Sequence, residues 1–145
     1  IVHFDADGQH RTEDIPALLQ PILNDEYDIV FGSRFLTKAP VEISVIKKLL
    51  IITGRYINYL FTGLLLSDAH NGLRAMNRMA AEKIRIRENR MSHASEILFL
   101  VKKYKLRFRE VAVTIIYTDY SKEKGQSSWN SIRIFFDLIL HKLFK

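Results

Sequence analysis

The chain has 145 residues, 48% of them hydrophobic, which suffices for one domain with a packed core and is too apolar for a disordered segment. It contains no cysteine, so disulfides, zinc–thiolate sites and thiol nucleophiles are excluded. The net charge of +6 is uneven: residues 1–101 carry 12 Lys/Arg against 12 Asp/Glu and residues 102–145 carry 10 against 4, so the last third is expected to meet an anionic partner or to be a solvated basic face.

The opening "IVHF" reads as a strand. Thr12 then suits the N-cap of a helix over 13–23, with Glu13 and Asp14 in its positive first turn. Pro16 is tolerated near that helix start, whereas Pro21 is expected to kink or end it. "YDIVFGS" at 27–33 reads as a buried strand, and a β-α-β start of this kind predicts a parallel pair in a layered α/β fold. After a loop at 34–43, residues 44–64 have helical spacing. The longest apolar stretch, 49–66, carries Arg55 near its middle, so no transmembrane helix is expected.

"SDAHNGLRAMNR" at 67–78 is turn-rich around Asn71-Gly72 and leads into a short strand. A helix is expected at about 93–105, followed by a strand over 108–118 and a polar, basic loop at 119–128. The tail 129–145 places Trp129, Ile132, Phe135, Phe136, Ile139, Leu140 and Leu143 on one helical face. That face fits ordinary core packing and an in-plane membrane helix equally well. Two units are therefore expected, 1–128 and an amphipathic C-terminal helix at 129–145.

The first strand runs straight into Asp5 and Asp7, whose like charges repel unless a cation offsets them. An EF-hand would need Gly at the sixth position from Asp5 and Glu at the twelfth, but Gly8 is fourth and Pro16 twelfth. A haloacid-dehalogenase-type phosphatase would follow D-x-D-G with Thr where this chain has Gln9, and no later acidic pair completes a magnesium site. A third chemistry fits better: a hard divalent ion bridging the carboxylates and a substrate diphosphate. His70 and His93 read as hydrogen-bonding residues, since neither has a second histidine at ligand spacing.

"DADGQHRTEDIPALLQPI", "YDIVFGSRFL" and "DAHNGLRAMNR" together resemble the GT-A glycosyltransferases of family 2, in particular the polyprenyl-phosphate sugar transferases related to dolichyl-phosphate mannose synthase. The likeness extends over essentially the whole chain. It implies a Rossmann-like α/β domain with a mixed sheet, in which Asp5, Asp7 and Gln9 hold Mg²⁺ or Mn²⁺ and the diphosphate of a nucleotide-sugar donor. It makes "GSRF" an active-site turn whose Arg34 faces a phosphate, and it makes Asp68 the carboxylate beside the acceptor. With a hydroxyl acceptor Asp68 would be a general base, and with a lipid phosphate it would orient other groups. The family's D-x-x-S-G-F-R appears as Asp68 to Arg74, with Asn71 for Ser and Leu73 for Phe. The acceptor phosphate would be collected by Arg34, Lys47, Lys48, Arg74, Lys122 and Lys124. A structural ion pair between Arg74 and Glu96 is the alternative role for that arginine.

The resemblance implies metal-dependent, inverting sugar transfer to a polyprenyl phosphate, by a protein lying peripherally on the cytoplasmic face of a membrane. In the family, strands preceding the D-x-D strand bind the base and ribose, and here only "IVHF" precedes it. A partial GT-A domain is therefore expected, one lacking the N-terminal nucleotide-binding strands and with a sheet edge open to self-association. A non-catalytic, membrane-associated fragment or subunit is the competing reading. No nucleic-acid motif accompanies the basic tail, and none is expected to bind there.

Overall fold

The computed structural model describes residues 1–6, 8–37, 45–69, 71–86 and 92–116. The expected loop at 119–128 and helix at 129–145 lie outside the described residues, as does the end of the strand expected over 108–118.

Four strands form one sheet: β1 (Val2–His3), β2 (Ile29–Ser33), β3 (Arg74–Met76) and β4 (Phe108–Ala112). Their order is β1-β3-β2-β4, with β3 antiparallel to both neighbours and β4 parallel to β2. The sheet is thus mixed, as expected for a layered α/β fold. The expected β-α-β pair is corrected, however. β1 and β2 run in the same direction but do not touch, because β3 inserts between them and pairs Ala75 with both Val2 and Val30.

Residues of β2 alternate between two cores. Val30 packs with Leu18, Leu73, Ala75 and Val113, whereas Ile29 and Phe31 pack with Leu66, Met76, Ile97, Leu98 and Val101. Because both faces are covered, all five residues of β2 are buried, which explains why Ile29, Val30 and Phe31 run apolar without alternation. Helix α1 (Ile15–Leu23) covers the first face. On the second lie α3 (Arg78–Lys83) and α4 (Ser92–Lys103), with α2 (Val45–Thr62) packed on α4 and joined to it where Ser95 Oγ donates to Asn58 Oδ1 at 2.9 Å. No helix among the described residues is long and apolar enough to cross a membrane.

Helix starts differ from the sequence expectation in two places. Residues Thr12–Asp14 form a 3₁₀ turn and Thr12 makes no side-chain cap, because the acidic group expected to serve the helix start is drawn elsewhere: Asp14 Oδ2 accepts the Thr114 N–H at 2.7 Å. The short α3 was not expected; Asn77 caps it by accepting the Ala80 N–H at 2.8 Å. Pro21 sits inside α1, which ends two residues later, and its carbonyl accepts the Glu26 and Tyr27 N–H groups.

The parallel seam between β2 and β4 begins at a buried carboxylate. Asp28 is 3% exposed, and its two oxygens accept the Arg107 backbone N–H at 2.8 Å, the Arg107 guanidinium and Asn77 Nδ2. These bonds, with Arg107's side chain first, hold the Asp28 carboxyl below its usual range despite burial. A lowered folded-state value means that the stabilisation is complete above the unfolded value and is lost as pH falls through the folded one. Asp28→Asn is expected to cost about 2 kcal/mol at neutral pH. In urea denaturation across roughly pH 5 to 2, the gap to the wild type should narrow as the wild-type carboxylate is protonated.

Candidate functional site

Pairing of β1 with β3 brings the end of the first strand beside the turn at 68–74. His3 faces Arg74 across the ladder, and its Nδ1 lies 3.1 Å from the Gly72 carbonyl oxygen. The chain then leaves the sheet through Asp5, which is exposed, and turns at Gly8, whose φ of +76° lies in the region that side-chain-bearing residues avoid. Asp7 lies outside the described residues. Gln9 is half-buried, and its carbonyl accepts the Ile116 N–H at 2.9 Å, which fastens the far side of this loop to the segment after β4.

Gly72 sets the approach of the two segments. A Cβ there would overlap the Asp5 carboxylate and come within 3.2 Å of His10 Nε2. The absence of a side chain therefore lets Asp5 lie directly on the 68–74 turn.

Beneath them lies Arg74, 2% exposed. Its Nη2 donates to the Asn71 carbonyl at 3.0 Å, and its Nε has no hydrogen-bond partner among the described residues. Burial pushes the guanidinium down to about 10, opposed by the attraction of Asp5, so it stays cationic at neutral pH. The ion pair with Glu96 is not formed, since the bond that Arg74 makes goes to Asn71. Arg74 is thus buried, and the charge that acts on it is that of Asp5.

Next to this lies a second charged group. Asp68, 2% exposed, accepts three N–H donors on Oδ2: Arg34 Nε at 2.7 Å, Arg34 backbone N at 3.1 Å and Asn71 Nδ2 at 3.0 Å. Asn71 in turn accepts the Leu73 N–H at 2.9 Å, so the residue that stands for the family's Ser is a buried strut of the turn. Arg34 and Asp68, expected as separate site residues, are thus one ion pair at the end of β2.

Of the remaining basic candidates only Lys48 has its side chain among the described residues. Lys48 is exposed on the first turn of α2, and Lys47 is in the same helix with its side chain outside the described residues. Lys122 and Lys124 lie outside the described residues altogether. Sequence reasoning did not find Glu110. This β4 residue accepts the Ser67 N–H with both carboxylate oxygens, at 2.8 and 2.9 Å, and the Asp68 N–H at 3.1 Å. Its only signal in the sequence is an acid within an otherwise alternating strand.

The mixed α/β sheet thus gathers Asp5, Arg74, Asp68 and Arg34 around one turn at its strand ends. Residues 1–85 match the family described as Glycosyl transferase family 2, and the chain belongs to that family, whose fold is GT-A. It is 37% identical over 149 residues to the UDP-N-acetylglucosamine–dolichyl-phosphate N-acetylglucosaminyltransferase of Methanococcus voltae, with 99% of this chain and 59% of that protein covered. It is 35% identical over 147 residues to an uncharacterized protein of Methanocaldococcus jannaschii, covering 99% of this chain and 60% of that protein. The chain thus spans about three fifths of the length of these curated relatives.

Removing Arg34 would leave Asp68 buried without its cation. Arg34→Ala is expected to lower stability by about 3 kcal/mol in chemical denaturation, and adding Asp68→Asn should recover part of that loss.

Proposed function

We propose that the chain carries the metal-binding and acceptor side of an enzyme that transfers a sugar from a nucleotide-sugar donor to a polyprenyl phosphate, with inversion at the anomeric carbon. The observation that carries this reading is the juxtaposition of Asp5 with the 68–74 turn across Gly72, with a buried cation behind it and the Arg34–Asp68 pair beside it. Membership of family 2 and the name of the Methanococcus voltae relative supply the substrate classes: UDP-N-acetylglucosamine is the first donor to test and dolichyl phosphate the first acceptor.

Carboxylate and amide oxygens are the hard donors that Mg²⁺ and Mn²⁺ prefer, so Asp5, Asp7 and Gln9 fit such an ion. The ion, when bound, would neutralise charge on the departing diphosphate. Arg74 places a buried positive charge behind Asp5. A lipid phosphate is already anionic and needs no proton removed, so Asp68 acts here by holding Arg34. Fixed at its Nε and its backbone N–H, Arg34 offers a cation of set orientation to the incoming phosphate.

A membrane surface suits α2. Val45, Leu49, Ile52, Tyr56 and Tyr59 recur at alternating spacings of four and three and are all exposed, as is Leu60 beside them. Residues 45–62 include Lys47, Lys48 and Arg55 and no acid. A second copy of this helix would meet like charge, whereas an anionic lipid surface complements both the apolar stripe and the lysines.

Transfer of labelled N-acetylglucosamine from UDP-N-acetylglucosamine into dolichyl phosphate, in detergent with Mn²⁺, tests the reaction. Label should enter the lipid, vanish with EDTA, and fall roughly a hundredfold or more in Asp5→Asn, which should also lose Mn²⁺ binding in calorimetry. Absence of lipid product from a panel of nucleotide sugars would instead favour the non-catalytic reading. Separately, the protein should co-sediment with vesicles containing phosphatidylglycerol, and Leu49→Glu with Leu60→Glu should weaken that binding about tenfold or more; equal binding would remove α2 from the interface.

A further inference from the structure

We infer that Glu110 is a positioning residue for the transfer reaction, acting through the Ser67–Asp68 backbone on the Arg34–Asp68 pair. The inference rests on the reading proposed above and extends it to a residue whose carboxylate is bonded to the Ser67 and Asp68 N–H groups.

The bonds converge from two sides. Glu110 comes from β4, on the same side of the sheet as its partner Phe31. Its carboxylate takes the Ser67 N–H on both oxygens, and Oε1 also takes the Asp68 N–H at 3.1 Å and the Ser67 hydroxyl at 2.8 Å. Since the Ser67 hydroxyl gives its proton to Glu110, the proton in the 2.6 Å contact between Ser67 Oγ and Ser33 Oγ comes from Ser33. Ser33 Oγ also accepts the Phe35 N–H at 3.2 Å. Residues 33–35, which carry Arg34, and residues 67–68, which carry Asp68, are thereby tied to one carboxylate.

A neutral amide could not serve in the same way. Gln at this position retains one acceptor oxygen and presents an NH₂ group to the neighbouring N–H donors, so part of the network faces donor against donor. The turn must then rotate, and the Asp68 carboxylate moves with it relative to Arg34. Displacements of that kind in a phosphate-orienting group reduce turnover more than they reduce donor binding.

The test is a cycle of Glu110→Gln, Asp68→Asn and the double variant in the protein carrying this chain, with steady-state transfer and backbone amide hydrogen exchange measured on each. Glu110→Gln should lower kcat about tenfold or more with donor KM within about twofold, and the double variant should be no slower than Asp68→Asn alone, since both changes act on one group. Exchange at the Ser67 and Asp68 amides should accelerate about tenfold or more while that of β2 is unchanged. Additive losses in the cycle, a raised KM at unchanged kcat, or unaltered exchange at those two amides would overturn the inference. If Glu110→Gln does not fold, Glu110→Asp keeps the charge but draws it back by one methylene, and it should give the same pattern at smaller size; wild-type rates in that variant would also overturn it. A wild-type protein that transfers no sugar defeats the proposed reaction instead, and the exchange measurement still decides whether Glu110 holds the turn.

Discussion

The site depends on one buried carboxylate being given a cation. Asp68 is almost wholly removed from water, and an ionised carboxylate there would be strongly destabilising if Arg34 did not reach back from the end of β2 with both its backbone and its side chain. Most of the local architecture follows from that demand. Glu110 satisfies the Ser67 and Asp68 backbone donors of the turn, while Asn71 donates its side-chain amide to the Asp68 carboxylate and accepts the Leu73 N–H. The turn then sits where Gly72 can admit Asp5. Two charged centres, Asp5 with Arg74 and Asp68 with Arg34, are in this way mounted on adjoining strand ends, and Asn71 joins them: its carbonyl accepts from Arg74 and its side-chain amide donates to Asp68.

The division of labour between the two arginines is clear from their surroundings. Arg34 is at the rim, paired in a geometry that fixes its direction; Arg74 is interior and acts over distance, through a field that burial strengthens as it weakens the guanidinium's own hold on its proton. Similar residue types in neighbouring positions of the fold therefore sit in different physical settings, one in direct contact with its carboxylate and the other coupled to one only through the field.

Much of the fold was legible in the sequence because its elements have strong local signals. The apolar run of β2, the helical spacing of α2 and α4, and the turn residues Asn71 and Gly72 all have patterns that depend on near neighbours. Strand order did not, since the insertion of β3 between β1 and β2 is decided by which faces must be buried rather than by any local motif. The site divided along the same line. Asp5, Asp68 and Arg34 stood out through motif and charge, but the burial of Arg74 and the anchoring role of Glu110 come from contacts between residues far apart in the chain. The 3₁₀ turn at Thr12–Asp14 shows the limit from another side, because Asp14 serves Thr114 and not the helix that begins beside it.

The parallel pairing of β2 with β4 also orders events in time. Asp28 and Arg107 are separated by 79 residues, and closing a loop of that length costs about 4 kcal/mol in chain entropy before any seam contact forms. β1, β2 and β3 can assemble through their antiparallel ladders beforehand, but until β4 arrives Asp28 lacks its cation and the 67–68 turn lacks Glu110. On a ribosome β4 emerges after β1, β2 and β3, and it completes both. The 67–68 turn is therefore finished only when the β2–β4 seam is, and a chain stalled before β4 would hold the acidic motif beside a turn that lacks its anchor.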